Sequence, residues 1–359
     1  MDILISRGSI DPLKAHPGAA MSNRSPRLRL RHLAAAVALA TTAATTTACA
    51  GGDANAGSDD QTVIKLVDPG NAGLLAYAKK TGVLDEKLEA ADARVEWGGS
   101  YGSFTATIDA VRSGDVTLLE GAISPAIGYL STSNDLKIFA VADRTTDPKA
   151  PVGDGLVVPK DSSVTSVDQL VGKKVAVNKG GRGEYLLGLA LDKAGIGHDE
   201  VEKVYLNPVQ AAGAFQSGKV DAWWAIVRGY PTAVAAGAKT IVTNNDVEDN
   251  DLTILAARQE LVDENPEALK IVTDTLAELQ KEATADPAKF QNVFTDSGPT
   301  ATSGDALERD IEVERYSLPF PPVEDKDLEK IQVVADYFLA HQFISKAVKS
   351  SDAAVQLGS

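Results

Sequence analysis

Cysteine, histidine and aromatic residues are all scarce in this sequence. Its 359 residues include one cysteine, Cys49, and four histidines, and aromatic residues make up 5% of the chain. One cysteine cannot form an internal disulfide bond or a cysteine-based zinc site. Cys49 therefore needs another explanation, and we expect no metal ion and no cofactor.

Positive charge is also scarce once the N-terminus is set aside. The whole chain carries a net charge of -15, but its first 48 residues hold six basic and two acidic residues, so the remainder carries -19. Such a body repels nucleic acid and anionic lipid headgroups. It does not exclude a small anionic ligand, because local donors govern a small site. The length suits two globular domains.

Residues 21–48 have the order of a bacterial signal peptide. Four arginines lie between residues 24 and 31, and the apolar run Leu33–Ala40 that follows is too short to span a bilayer. Small residues then lead to Cys49. Residues 1–20 show no usable pattern, so we interpret them as a mis-annotated leader and Met21 as the true start.

The segment Thr46–Cys49 resembles a bacterial lipobox, although the usual leucine three residues before the cysteine is absent. The resemblance implies cleavage before Cys49 and lipid attachment to it, which would anchor the protein on the outer face of the cell membrane. Simple secretion is the alternative. Residues 49–61 are small and polar, which predicts a flexible tether.

After residue 61, strand and helix patterns alternate, which predicts an α/β fold with mostly parallel sheets. Two polar breaks, at residues 143–153 and 244–251, interrupt this alternation. We therefore predict one lobe from residues 62–145 and 248–359, and an inserted lobe from residues 152–244. The two crossings between the lobes would act as hinges.

Polar loops follow several predicted strands, where open α/β sheets bind ligands. The segment Asn178–Glu184 (NKGGRGE) combines Gly181, Gly183 and Glu184 with Arg182 at the start of a helix. Glycines expose successive N–H groups, and the helix N-terminus carries partial positive charge, so we predict an anion cradle with Arg182 as a planar donor. An ordinary turn with a solvated arginine is the alternative.

Two further strand-end loops supply candidate ligand contacts. Asn71 follows the first strand, and Ser100 and Tyr101 follow the second. Ser100 could donate a hydrogen bond and Tyr101 could stack on a ligand, whereas a helix N-cap is the structural alternative for Ser100.

Several segments resemble the sulfonate, nitrate and taurine class of ABC substrate-binding proteins. Residues 162–178 contain VDQLVGKKVAVN, residues 179–187 contain KG followed by YLL, and residues 206–224 read LNPVQAAGAFQSGKVDAWW. In this alignment, Glu120–Pro125 occupies a loop that places the amides of Gly121 and Ala122 and the hydroxyl of Ser124 near the ligand. Trp224 ends a strand, where it could pack against the apolar part of a ligand or in the core. Arg228 stands where the family has an acidic residue, and it could face the ligand or be solvated.

The resemblance implies a type II periplasmic-binding-protein fold and a monomeric receptor of an ABC importer, with a permease and an ATPase as partners. The ligand would be a small organic anion or a zwitterion such as taurine. Asp68 and Glu120 also lie in the strand-end loops. Carboxylates beside an anionic ligand are unfavourable unless they pair with Arg182 or Arg228. The alternative is that they bind an ammonium group, as a zwitterion such as taurine would need.

Three other functions compete with a transport receptor. Gly98–Gly102 fits the G-x-S-x-G pattern of serine hydrolases at Ser100, but only His198 and His341 follow it as candidate bases. The related pyrimidine-precursor synthases would need metal- and cofactor-handling residues. A ligand sensor without a transport role would have the same sequence features.

Overall fold

The computed structural model describes residues 61–101 and 104–358, all of which fall within one compact unit, Gly57–Ser359. The strands are β1 (Thr62–Leu66), β2 (Ala93–Trp97), β3 (Leu118–Ala122), β4 (Leu136–Ala142), β5 (Gly155–Val158), β6 (Lys174–Val177), β7 (Glu202–Tyr205), β8 (Ala222–Ala225), β9 (Lys239–Thr243) and β10 (Thr253–Arg258). The predicted leader, signal peptide, Cys49 and nearly all of the tether lie outside the described residues.

The helices connect and flank these strands. They are α1 (Leu74–Thr81), α2 (Val83–Leu88), α3 (Phe104–Ser113), α4 (Ile123–Leu130), α5 (Arg182–Ala194), α6 (Pro208–Gln216), α7 (Gly229–Ala235), α8 (Gln259–Glu264), α9 (Pro266–Ala285), α10 (Asp305–Arg315), α11 (Asp325–Ala340) and α12 (Ser350–Ala353). In the part of the chain that the structure describes, no helix is both long and apolar enough to traverse a bilayer.

Local sequence explains where several helices begin and end. Asn207 and Gln210 form reciprocal side-chain to backbone bonds at the start of α6, and Pro208 occupies its first position. Helix α5 ends at Gly195, whose φ of 70° places it in the left-handed region that glycine adopts without strain.

The strands form two separate sheets and a two-stranded pair. The five-stranded sheet has the order β7-β6-β8-β5-β9, the three-stranded sheet has the order β3-β10-β4, and β1 pairs with β2. Every strand of the five-stranded sheet comes from residues 155–243, whereas β10 returns to lie between two strands from before residue 143.

The predicted α/β fold is confirmed, and in its two larger sheets one strand runs against the others. Among the described strands, β10 runs antiparallel to β3 and β4, and β5 runs antiparallel to β8 and β9. Both strands directly follow one of the two polar breaks. After each polar break the chain reaches the edge of the sheet at which the neighbouring strands end. The strand that begins there therefore runs antiparallel to those neighbours. The residues just before β5 and β10 therefore lie at the carboxyl edge of their sheets.

The apolar core continues behind the two polar breaks. Tyr185 of α5 packs edge-on against Tyr337 of α11, with ring centroids 5.2 Å apart, and lies 6.0 Å from Phe338. Phe338 is fully inaccessible to solvent. Burying such a side chain stabilises a fold by about 1.5–3 kcal/mol, so α5 and α11 are firmly packed together.

Candidate functional site

A cavity of about 1600 Å³ lies at the carboxyl edges of both sheets. The three-stranded sheet contributes Glu120 and Gly121, and the five-stranded sheet contributes Asn178 and Trp223. Ordinary small-molecule sites measure roughly 300–1000 Å³, so this cavity has the size of an open cleft.

The Gly-rich start of α5 is filled by its own side chains. The carboxylate of Glu184 accepts hydrogen bonds from the Gly180 N–H and the Tyr205 hydroxyl, both at 2.7 Å. The Asn178 Oδ1 accepts from the Gly183 N–H at 2.9 Å. A Cβ on Gly181 would lie 1.9 Å from the Asn178 amide, so glycine is required for this close approach. The prediction that this segment binds an external anion is therefore not supported, because the Glu184 carboxylate takes the place of that anion.

Arg182 does not offer a free fork to the cavity. Its Nε donates to Asp154 at 2.6 Å, its Nη2 contacts Asp249 Oδ2 at 2.6 Å, and its Nη1 donates to the backbone carbonyl of Asp251 at 2.6 Å. These carboxylates raise the pKa of the Arg182 guanidinium and keep it charged despite burial. Arg182 lines the cavity, but its donors already serve the two polar breaks.

Arg144 completes a group that we call the arginine cluster, made of Arg144, Arg182, Asp154, Asp249 and Asp251. Arg144 Nη2 lies 2.5 Å from Asp249 Oδ2, and Asp249 is only 1% exposed. Burial raises the pKa of Asp251 to about 6 even though Arg182 lies beside it. The cluster ties the start of α5 to both crossings between the sheets.

Ser124 joins this cluster and does not cap a helix. It lies inside α4, and its N–H and hydroxyl both donate to the Asp251 carboxylate at 2.7 Å. Helix α4 begins one residue earlier, at Ile123, with Ala122 at its N-cap.

Three other predicted contacts lie outside the cavity lining. Asn71 holds the loop near Thr295, with its side-chain amide 2.7 Å from the Thr295 carbonyl. Ser100 is exposed to solvent and does not line the cavity. Trp224 is 1% exposed and faces the core, whereas its neighbour Trp223 lines the cavity, because successive strand residues point to opposite faces.

Of the other predicted residues, five reach the cavity and four do not. Tyr101, Gly121, Ala122, Arg182 and Arg228 line it, whereas Gly181, Gly183, Glu184 and Ser124 do not. The side chain of Arg228 is 58% exposed and lies 3.2 Å from Asp310. Val227, just before it, has a φ of 51°, an uncommon conformation for a β-branched residue that accompanies functional loops.

The carboxyl groups of Glu120 and Glu314 form a second charged feature of the cavity. Glu120 is exposed to the cavity, and desolvation by the protein around it, together with Glu314, raises its pKa to about 7. Burial also raises the pKa of Glu314. Among the described residues, Glu120 has no cationic partner. The sequence alone indicates Glu120 as a cavity residue, because it was expected near the end of a strand. Nothing in the sequence pattern of α10 indicates that Glu314 reaches the cavity.

The charged residues that line the cavity are predominantly acidic. Seven acidic and four basic residues line it, and the acidic ones are Asp68, Glu120, Asp143, Asp147, Asp154, Asp251 and Glu314. Because Arg182 is already paired, the net local charge favours a cationic group on a ligand. Trp223 and Tyr101 add aromatic faces that can pack on apolar or cationic parts.

The two histidines required by the hydrolase alternative lie elsewhere. His198 and His341 stack on each other beside Asp192, and neither lines the cavity. Gly102 of the G-x-S-x-G pattern lies outside the described residues. The arrangement at Ser100 gives no support to a nucleophile–histidine pair.

Comparison with known proteins identifies the family and the fold of this chain. A family model described as NMT1/THI5 like matches residues 102–290. A protein of Brucella abortus (strain 2308) named only as a binding protein is 29% identical over 233 residues, which cover 64% of this chain and 68% of that protein. The taurine-binding periplasmic protein of Escherichia coli (strain K12) is 26% identical over 201 residues, or 54% of this chain and 59% of that protein.

A solved structure shows the same fold. The alkanesulfonate-binding protein SsuA from Xanthomonas axonopodis pv. citri superimposes with a TM-score of 0.70 at 21% identity, covering 82% of this chain and 98% of that chain. The resemblance to the sulfonate and taurine class of binding proteins is thereby confirmed. With more than half of its residues matched by the family model, the chain belongs to the NMT1/THI5-like family and has the periplasmic-binding-protein fold.

Proposed function

We propose that this protein is an extracytoplasmic solute receptor of an ABC importer, and that it captures a small zwitterion in the cavity between its sheets. The preferred ligand would carry an ammonium group and a sulfonate or carboxylate, as taurine does. The observation that carries this proposal is Glu120, a cavity carboxylate without a cationic partner among the described residues.

The ammonium end of the ligand would lie between Glu120 and Glu314. Desolvation and the nearby Glu314 raise the pKa of Glu120, and a cation beside Glu120 would oppose both effects because it favours the charged carboxylate. An ammonium group supplies that charge and up to three hydrogen bonds. A simple sulfonate would meet only repulsion there.

The anionic end would face Arg228. Its side chain is 58% exposed and contacts one carboxylate, that of Asp310, so part of its guanidinium can turn to a ligand. Arg182 would act indirectly, by holding the two crossings in place. This division of roles replaces the anion cradle predicted from the Gly-rich segment.

Closure would complete the site. We propose that residues 62–145 and 248–359 form one lobe and residues 152–244 the other, with the two crossings as hinges. The pairing of β10 with β3 and β4 supports this division, as does the confinement of the five-stranded sheet to residues 155–243. A cavity of about 1600 Å³ leaves room for the lobes to approach each other around a small ligand.

The cellular setting follows from the N-terminus. We propose that Cys49 is lipidated, that residues 49–61 tether the receptor to the outer face of the membrane, and that the closed form delivers its ligand to the permease. Mass spectrometry of the protein from bacterial membranes should find a diacylglyceryl group on Cys49. A mature N-terminus at another residue would contradict the anchor.

Ligand binding is tested by thermal denaturation against matched compounds. Taurine and related zwitterions should raise the melting temperature, because they bind the folded state alone. At a hundredfold excess over Kd, such binding adds about 2.7 kcal/mol to the free energy of unfolding. Nitrate and simple alkanesulfonates should raise it much less. A screen in which no zwitterion shifts the transition would contradict the proposal.

Small-angle scattering tests closure. The radius of gyration should fall when the protein is saturated with its ligand. A ligand that binds without any compaction would contradict hinge closure while leaving ligand capture intact. Association with a neighbouring permease and ATPase would separate a transport receptor from a sensor.

A further inference from the structure

Away from the cavity, three metal-ligating side chains converge on one point. Asp192 on α5, His198 in the turn after α5 and His341 at the end of α11 offer ligand atoms that all lie within 4.8 Å of one another. The His198 Nε2 is 2.9 Å from Asp192 Oδ1, and the His341 Nε2 is 3.6 Å from Asp192 Oδ2. Both imidazoles thus direct Nε2 toward the same carboxylate.

These separations suit a tetrahedral transition-metal ion. Metal–ligand bonds of about 2.0–2.1 Å place neighbouring ligand atoms of a tetrahedron about 3.4 Å apart. The two nitrogen–oxygen distances, 2.9 Å to Oδ1 and 3.6 Å to Oδ2 of Asp192, lie on either side of this value. The two imidazole planes are 12° apart, so the rings must turn out of their stack for both Nε2 atoms to reach one ion. A site of two imidazoles and one carboxylate binds Zn²⁺ and similar ions in preference to Mg²⁺.

The surroundings hold the three side chains in place. The rings of His198 and His341 stack with centroids 4.3 Å apart, and Phe343 lies 5.8 Å from His198. The Tyr337 hydroxyl donates to Asp192 Oδ2 at 2.5 Å, the kind of outer contact that orients a metal-binding carboxylate. The nearby Lys203 is paired with Glu184, which offsets its charge.

The position of the cluster gives it a mechanical consequence. Asp192 lies ten residues beyond Arg182 on α5, about 15 Å along the helix from the cavity. Asp192 and His198 come from the segment that forms the five-stranded sheet, whereas His341 ends a helix from beyond β10. An ion held by all three would cross-link these two parts of the chain.

We propose that Asp192, His198 and His341 form a site for Zn²⁺ or a related transition-metal ion, with water in the remaining position, and that the ion clamps α5 to α11. Asp192 is exposed, which leaves a solvent-facing position for that water. The site is separate from the ligand cavity and does not depend on the proposed transport function.

Calorimetric titration of the purified, untagged protein with Zn²⁺ tests this site. We expect one ion per chain, and His198→Gln or His341→Gln should weaken binding by roughly tenfold or more. Tyr337→Phe should weaken it by roughly tenfold through loss of the outer hydrogen bond. Asp199→Asn, which alters a neighbouring exposed acid outside the cluster, should leave Zn²⁺ affinity unchanged.

Two further measurements keep the proposal falsifiable if a histidine variant folds poorly. Zn²⁺ should raise the melting temperature of the wild-type protein but not that of the doubly substituted protein, and Mg²⁺ should raise neither. Co²⁺ should give the intense visible absorption of a tetrahedral site in the wild-type protein. Absence of Zn²⁺ binding, or binding that both histidine substitutions leave unchanged, would overturn the proposal.

Discussion

The two charged regions of the cavity differ in how their charges are satisfied. In the arginine cluster, Arg182 has a partner for each arm of its guanidinium, and nearby Glu184 is filled with hydrogen bonds from its own chain. Across the cavity, desolvation and the nearby Glu314 raise the pKa of Glu120 instead. Charged groups that already have partners stabilise the fold, whereas a carboxylate that is open to the cavity and lacks a cationic partner can bind a cationic group of a ligand.

The largest expected effect comes from breaking the arginine cluster. Arg182→Met leaves Asp154, Asp249 and Asp251 close together with only Arg144 to offset them. Removing one partner of a buried ion pair costs about 3–5 kcal/mol, so the free energy of unfolding should fall by that amount. Denaturant titration measures this change.

The matched control for this change is Arg228→Met. In its ion pair with Asp310 the arginine side chain is 58% exposed and the aspartate 15% exposed, so the loss should be smaller than for Arg182, about 1 kcal/mol. If both arginine variants lost the same stability, the distinction between the two regions would fail.

The next largest effect concerns the carboxylate at the start of α5. Glu184→Gln weakens the bonds from the Gly180 N–H and the Tyr205 hydroxyl and removes the charge that faces Lys203. We expect a loss of about 1–3 kcal/mol in unfolding free energy. Glu202→Gln, an exposed residue that forms a surface pair with Lys174, should change stability by no more than about 0.5 kcal/mol. Equal losses would show that Glu184 does not stabilise the turn.

The pH dependence of ligand affinity sharpens the comparison from the other side. Glu120 must be ionised to hold an ammonium group, and its pKa of about 7 means that it ionises late. Taurine affinity should therefore rise about tenfold from one pH unit below this value to one unit above it. Calorimetry at the two pH values measures the ratio, and an affinity that falls with pH would contradict this role.

A smaller effect is expected in the pH dependence of stability. Between pH 4.5 and about 7, native Glu120 retains a proton that the unfolded chain releases, so the free energy of unfolding falls as pH rises. Glu120→Gln should make this fall shallower, as denaturant titrations across the range can measure. Glu312→Gln, on the exposed face of α10 beside Arg315, should keep the wild-type slope. An unchanged slope in the Glu120 variant would mean that its pKa is ordinary.

Local patterns were sufficient to predict most of the strands and the helices between them. The strand Ala93–Trp97 and the helix that begins at Leu74 are examples. Both can be predicted because alternation and helical spacing of apolar residues depend only on residues that are close in sequence. The direction of β10 could not be predicted in the same way, because it depends on which edge of the sheet the second polar break reaches.

The candidate site was less predictable, because its charges are paired over long separations. Arg182 meets Asp154, Asp249 and Asp251, residues 28 to 69 positions away, and no local motif reveals those partners. The sequence predicts Glu184 as a ligand contact, because a residue at the start of a helix can either contact a ligand or accept hydrogen bonds from its own chain. Glu120 was expected in a strand-end loop and lies instead inside β3, at the cavity, whereas Glu314 comes from a helix whose approach to the cavity only the tertiary structure reveals.

The most direct test compares taurine with isethionate, which has a hydroxyl group in place of the ammonium. Calorimetry on the wild-type protein should show a preference for taurine of about tenfold or more, since a charged hydrogen bond contributes about 1.5–3 kcal/mol. Glu120→Gln should remove most of that preference. Equal affinities for the two compounds, or a preference that survives the substitution, would contradict the assignment of Glu120 as the ammonium-binding group.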